Sequence, residues 1–186
     1  MSIEELIAIL QKEKSFVLAI DGMCGAGKTT LANYLQQQLG GNVFHIDDFF
    51  LPLELRSQER LALPGGNIHD ERFIETVLKP LSKHQDIAYT AFDCSQMTYQ
   101  QKKIIPYQPR NIIEGSYALL PQFLTYYTHT VILKVTPELQ IERLKQRNPK
   151  KLKQFQERWI PLENRYFEYY HLFEKHPVMN PIHNLE

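Results

Sequence analysis

Apolar residues along this chain follow two rhythms. Short continuous runs at residues 16–20 (Phe-Val-Leu-Ala-Ile), 110–115 (around Ile112 and Ile113) and 129–135 have the unbroken hydrophobicity of strands buried on both faces. Between them the spacing lengthens to three and four. Ile3, Leu6, Ile7 and Leu10 form one apolar stripe with Glu4, Glu5 and Gln11 opposite, which predicts an amphipathic first helix. Residues 28–39 predict a helix stopped by Gly40 and Gly41, and 42–46 a short strand ending at Asp47. Residues 71–81 read as helical and 86–92 as extended. Thr136, Pro137 and Glu138 supply a cap, a first-turn proline and an early acid for a helix reaching Arg147. A basic stretch at 148–153, broken by Pro149, precedes a last helix carrying Trp159, Leu162, Tyr166, Phe167, Tyr170 and Phe173.

Strands alternating with helices imply an α/β fold, a doubly wound parallel sheet. The first strand, loop, helix and second strand together make one βαβ unit. Residues 50–69 contain Pro52, Pro64 and a Gly65-Gly66-Asn67 cluster, and predict a long excursion of the kind that carries function.

Composition narrows the classes. At 186 residues the chain suits a single domain spanning 1–186. Lys and Arg number 21, as do Asp and Glu, so no bulk positive charge draws the chain to nucleic acid or an anionic membrane. No run approaches the roughly 20 apolar residues of a membrane span, and the start lacks the basic flank of a signal peptide. Cys24 and Cys94 match no metal-ligand spacing and no disulfide framework, which suits a reducing, cytoplasmic setting. Nothing in the pattern fixes an oligomeric state.

Residues 22–29, Gly-Met-Cys-Gly-Ala-Gly-Lys-Thr, satisfy G-x-x-x-x-G-K-[ST] in full. Glycines at Gly22, Gly25 and Gly27, with Ala26 between, let backbone N–H groups turn toward phosphate oxygens. Lys28 would reach the β and γ phosphates, the Thr29 hydroxyl would take a magnesium position, and Thr30 follows in the first helical turn. The helix begun at Lys28 points its positive end at the anion. By chance the pattern arises in roughly one chain of this length in a hundred. Its place between an apolar strand and a helix lowers that figure further. A dinucleotide fingerprint would space its glycines G-x-G-x-x-G instead.

Ligands of doubly wound sheets sit beyond the carboxyl ends of the strands. Asp47, Asp48 and Glu114 fall there. An isolated Asp-Asp reads as a solvated turn. Beside a complete phosphate loop, Asp47 is the candidate to take a proton from an attacking hydroxyl. Glu114, closing an apolar strand, is a candidate for magnesium, with Thr29 and Asp47. Arg143 and Arg147 lie four apart on one helix face and could reach one anion; Arg158 follows the broken basic segment. A solvated basic face is the ordinary alternative.

These residues resemble the uridine kinase, phosphoribulokinase and pantothenate kinase group of P-loop small-molecule kinases. The run Asp47-Asp-Phe-Phe50 is similar to their Asp-Ser-Phe-Tyr, in which the leading Asp is the base, and 112–115 to their Val-x-x-Glu-Gly strand. Pro64-Gly-Gly-Asn67 with Arg72-Phe73, Glu114-Gly-Ser-Tyr117 and Trp159-Ile-Pro-Leu-Glu163 resemble bacterial uridine kinase-like proteins most closely. The resemblance implies a nucleoside-kinase-like P-loop fold, an acceptor region at about 50–97 and a helical lid at about 143–160 bearing Arg143, Arg147 and Arg158. It further implies acceptor contacts from His69, Asp70, Arg72, Phe92, Asp93 and Tyr117. Three positions depart: the substrate loop reads Asn67-Ile68-His69-Asp70 rather than Asn-x-Asp, Phe92-Asp93 lacks a tyrosine hydroxyl, and Arg147-Asn148 replaces Arg-Asp.

The expected activity is ATP- and magnesium-dependent phosphoryl transfer to a hydroxyl of a small molecule, with Asp47, Lys28 and Arg147 at the chemistry. Nucleosides, pantothenate-like alcohols and sugar alcohols all offer that hydroxyl. The competing readings are a regulatory NTPase and a nucleotide-binding module without turnover. No Asn-Lys-x-Asp or Asp-x-x-Gly run speaks for the former.

Overall fold

The computed structural model describes residues 1–180. Its central sheet has five parallel strands: β1 (Phe16–Gly22), β2 (Asn42–His45), β5 (Arg110–Glu114), β6 (His129–Leu133) and β7 (Val178–Met179), in the order β2-β5-β1-β6-β7. The two strands between β2 and β5 in sequence, β3 (Ile87–Asp93) and β4 (Thr98–Ile105), form a separate antiparallel hairpin.

The helices in chain order are α1 (Ile3–Leu10), α2 (Lys28–Leu39), α3 (Gln58–Ala62), α4 (Asp70–Phe73), α5 (Lys79–Ser82), α6 (Pro137–Arg147), α7 (Leu152–Gln154), α8 (Ile160–Tyr170) and α9 (Leu172–Lys175). One π turn, Ile74–Leu78, joins α4 to α5, and another, Phe155–Trp159, joins α7 to α8. The helix expected at 71–81 is therefore a single run with a local bulge. Among the described residues no helix is long and apolar enough to cross a membrane.

Strand periodicity divides the core. Leu18 and Ile20 of β1, Ile112 of β5, and Val131 and Leu133 of β6 face α1 and α2, against Leu6, Leu10, Leu31 and Leu35. Their neighbours Ala19, Ile113 and Ile132 point to the opposite layer, where Phe73, Val77 and Leu78 pack with Phe123 and Tyr166. Helices thus cover both faces, as unbroken apolar strands require. The side chains of α1 match the predicted stripe, and Ser2 closes a capping box with Glu5.

The βαβ unit differs from the simplest expectation. β1 and β2 are not neighbours, because β5 lies between them. Glu114 is consequently paired with Ile20 on one side and His45 on the other. The topology thereby brings the ends of β1, β2 and β5 to one place.

At that place Asp21 is fully buried and accepts three hydrogen bonds, from Gly22 N–H (2.6 Å), Leu119 N–H (2.8 Å) and the Tyr166 hydroxyl (2.8 Å). It ties the end of β1 to the segment after β5 and to α8. Burial raises its carboxyl from 3.8 to about 6, against the lowering pull of Lys28 and of these bonds. Asp21→Asn turns one acceptor into a donor, and should cost about 3 kcal/mol at neutral pH, read as a lower urea midpoint. The folded-state pKa lies above the unfolded one, so Asp21 contributes its full stability below pH 3.8 and loses it as the pH rises through about 6. Wild type should accordingly gain on Asp21→Asn as the pH is lowered across that window.

Candidate active site

The loop at residues 22–29 leaves β1 through Gly22, whose φ is +142° and whose Cβ, if present, would stand 2.3 Å from the Leu133 carbonyl oxygen. Only glycine allows β1 to stay paired with β6 while the chain turns away. Gly27, at φ +96°, opens α2 from the left-handed region, and the helix begins at Lys28 as predicted.

The carbonyls of this loop are satisfied from within and from α6. Gln140 Nε2 donates to Cys24 O (2.9 Å), and Arg143 donates to Gly25 O (3.2 Å). Lys28 Nζ donates to Gly22 O (2.7 Å), Met23 O (3.2 Å) and Ser116 Oγ (3.2 Å). Burial, and next Glu163, push the Cys24 thiol up to about 12, so it remains protonated near neutrality.

The acids gather opposite. Thr29 Oγ1 lies 3.2 Å from both Glu114 carboxylate oxygens, and His45 Nδ1 lies 2.5 Å from Glu114 Oε1. That hydrogen bond is the main cause holding the His45 imidazole above its ordinary value. Asp47 sits on a 3-10 turn, Ile46–Phe49, directly after β2. Its side chain is exposed and opens into the cleft, with neighbouring protein displacing part of the water around its carboxyl, and it forms no hydrogen bond with a described residue. That desolvation raises its pKa first, Lys28 opposes the rise, and Glu114 and Glu163 add to it. Asp48 turns the other way, accepting from the Tyr89 hydroxyl (2.8 Å) and Lys103 Nζ (3.0 Å). Of the adjacent acids, Asp47 alone faces the cleft.

The cleft has a volume of about 850 Å³. Gly25, Gly27, Lys28, Thr29 and Thr30 line one wall with Glu114 and Tyr117; Asp47, Phe50, Cys94 and Ser95 line another. Arg143, Arg147, Lys151, Phe155 and Trp159, from α6 to the turn before α8, line the remaining side. Thr29, Glu114 and Asp47 offer hard oxygen donors, the set magnesium takes when phosphates complete its shell. No group of three or more His, Cys, Asp or Glu residues that could cage a cation occurs among the described residues. A metal here would therefore share few protein ligands.

Other expected site residues stand outside the cleft wall. Gly22 ends β1, and Ala26 is buried beneath the loop. His69 caps α4 and donates its backbone N–H to Phe49 O (2.7 Å). Asp70 pairs with Arg60 and accepts from Gln122 Nε2 (2.6 Å). Arg72 donates to Thr90 O (2.5 Å) and Asp48 O (2.9 Å), and its guanidinium lies 4.4 Å from the centre of the Phe49 ring. Phe92 packs edge-on to Tyr99, and Asp93 accepts from Ser95 N–H (2.7 Å) to form the hairpin turn. Arg158 covers the Trp159 ring at 5.1 Å.

Ser116 and Glu163 line the cleft without having been singled out as site residues. Glu163 accepts from Cys24 N–H (2.8 Å) and the Ser116 hydroxyl (2.7 Å). A signal for it existed: it lies three residues before Tyr166 on the buried stripe of α8, where a carboxylate demands a partner.

Arg72 bridges η-turn, hairpin and α4, so Arg72→Ala should lower stability by about 2–4 kcal/mol through lost charged hydrogen bonds and ring contact. Denaturant unfolding measures this, and Arg72→Lys, unable to bond both carbonyls from one plane, should recover only part of the loss.

Comparison with known proteins agrees with this architecture. Residues 18–171 match a family model described as AAA domain. The tRNA-specific adenosine deaminase subunit tad2 of Schizosaccharomyces pombe is 28% identical over 138 residues, covering 70% of this chain and 33% of that protein. The chain thus spans about a third of the length of the curated relative it matches. A possible uridine kinase from Bacillus stearothermophilus superposes with a TM-score of 0.72 at 21% identity, over 95% of this chain and 96% of that one. A protein of Silicibacter sp. TM1040 described as a fructose transport system kinase does so with a TM-score of 0.67 at 23% identity, over 91% and 95%. These likenesses are of fold: a parallel sheet with flanking helices, that of a P-loop NTPase of kinase-like shape. By the extent of its match, the chain belongs to the AAA domain family.

Proposed function

We propose that this protein is a phosphotransferase that moves the terminal phosphoryl group of ATP, with magnesium, to a hydroxyl of a small molecule of the nucleoside type. The observation that carries this reading is the cleft-facing Asp47 carboxyl, without a hydrogen-bonding partner among the described residues and raised in proton affinity, opposite Lys28 and Thr29. The description of the Bacillus stearothermophilus neighbour as a possible uridine kinase supports the choice of acceptor class.

In this reading the N–H groups around Gly25 and Gly27 and the start of α2 hold the phosphates. Thr29 and Glu114, with Asp47 nearby, would hold the magnesium, which supplies neutralisation of developing phosphate charge when bound. Asp47 accepts the proton of the acceptor hydroxyl as its oxygen bonds to the γ phosphorus. The bond from that phosphorus to the bridging oxygen breaks, and ADP leaves. Lys28, Arg143 and Arg147 spread the charge of the transferring group. The acceptor lies toward residues 50–97, and residues 143–160 act as the lid. With free Cys24 and Cys94, balanced charge and a small-molecule acceptor, the setting is cytoplasmic, without a nucleic-acid or membrane partner.

ADP release should depend on an added acceptor when nucleosides, pantothenate-like alcohols and sugar alcohols are supplied in turn with ATP and magnesium. ATP consumption indifferent to every acceptor would favour a regulatory NTPase instead. Asp47→Asn should lower kcat by about 10² to 10⁴-fold, the usual worth of a general base, while calorimetric affinity for ADP stays near wild type.

A further inference from the structure

A buried carboxylate connects the last long helix to the phosphate loop, and the mechanism above does not use it. Glu163, only 6% exposed, comes from α8. Its Oε2 accepts the N–H of Cys24, the third residue of the loop (2.8 Å). Its Oε1 accepts the Ser116 hydroxyl (2.7 Å), and Ser116 Oγ in turn accepts Lys28 Nζ (3.2 Å).

The direction of these bonds matters. An ionised carboxylate only accepts, so the Ser116 proton is committed to Glu163 and the lone pairs of Ser116 face the Lys28 ammonium. We infer that Glu163 is a positioning residue for phosphoryl transfer: through Ser116 it orients Lys28, and directly it sets the Cys24 peptide at the end of the loop that meets the terminal phosphate. The inference rests on reading residues 22–29 as a triphosphate loop.

A carboxamide cannot do this. In Glu163→Gln, an NH₂ aimed at Ser116 takes one of the hydroxyl's two lone pairs and releases its proton from the carboxylate, so Ser116 is no longer held in one orientation toward Lys28. Aimed at Cys24, the NH₂ opposes another donor. Either way one link fails, although shape and volume are kept. Glu163 follows Trp159 by one helical turn, and both line the cleft, so the lid end of α8 and the Lys28 ammonium share this connection.

The test compares magnesium-dependent binding of ADP and of the β,γ-imido analogue of ATP by calorimetry, in wild type, Glu163→Gln, Ser116→Ala and the double variant. Each single variant should lose about tenfold more affinity for the triphosphate analogue than for ADP, the scale of one charge-assisted hydrogen bond. The double variant should lose no more than the worse single one, as members of one chain do. Equal losses for the two nucleotides, or additive losses, would overturn the inference, since a merely structural role weakens both alike. Should Glu163→Gln not fold, Ser116→Ala alone decides, because it cuts the same link from the cleft side. Failure of every acceptor to support transfer would sink the proposed reaction and leave this binding difference intact. An unchanged ratio in a variant that still transfers with wild-type kcat would sink only the role of Glu163.

Discussion

A carboxylate with no water around it holds the reacting end of this sheet together. Asp21 gathers donors from three segments that have no backbone pairing with one another: the Gly22 peptide, the Leu119 peptide and the Tyr166 hydroxyl. Each would otherwise be a buried donor in search of an acceptor. The cost of enclosing the charge is visible in its raised proton affinity, and Lys28 offsets part of it. The phosphate loop, the strand end at Glu114 and the helix that brings Glu163 are therefore arranged around one ion, not merely stacked on one core.

The same end of the molecule is crowded with acids. Asp21, Asp47, Glu114 and Glu163 surround a single ammonium, that of Lys28, whose three hydrogen bonds hold it across the loop. Arg143, Arg147 and Lys151 bring positive charge from the opposite side of the cleft, and the proton affinity of Asp47 is raised first by desolvation, with Glu114 and Glu163 adding to it against the pull of Lys28. The loop's carbonyls, bonded by Gln140, Arg143 and Lys28, add no further unpaired acceptors. Carboxyl oxygens and the N–H groups of a glycine loop thus meet in one place.

Much of this was legible along the chain because it is local. The apolar runs at residues 16–20 and 129–135, the glycine spacing before Lys28 and the Thr136 cap each act within a few residues of themselves. Strand order is not local; that β5 inserts between β1 and β2 depends on contacts more than sixty residues apart. β4 went unread because Thr98 to Lys103 carries no apolar face, its outer surface being solvent. The partners of the charged side chains at 70–72 are not local either. Asp70 and Arg72 bond to Arg60, Thr90 and Asp48 within the protein, where the family resemblance had implied a ligand. Glu163 was the converse, a charge hidden on an aromatic helix face.

The hairpin of β3 and β4 shares no ladder with the five-stranded sheet. It rests on the core through Ile87, Tyr89 and Ala91, by packing rather than by registered backbone bonds. Side-chain hydrogen bonds add to that packing, from Arg72 to Thr90 O and from Tyr89 and Lys103 to Asp48. The side of the cleft that carries Cys94 and Ser95 is thus joined to the rest of the protein through side chains, whereas the side that carries Lys28 and Glu114 is continuous with the backbone ladder of the sheet. One side of the cleft can therefore be reshaped by exchanging side chains alone, and the other only by disturbing the sheet.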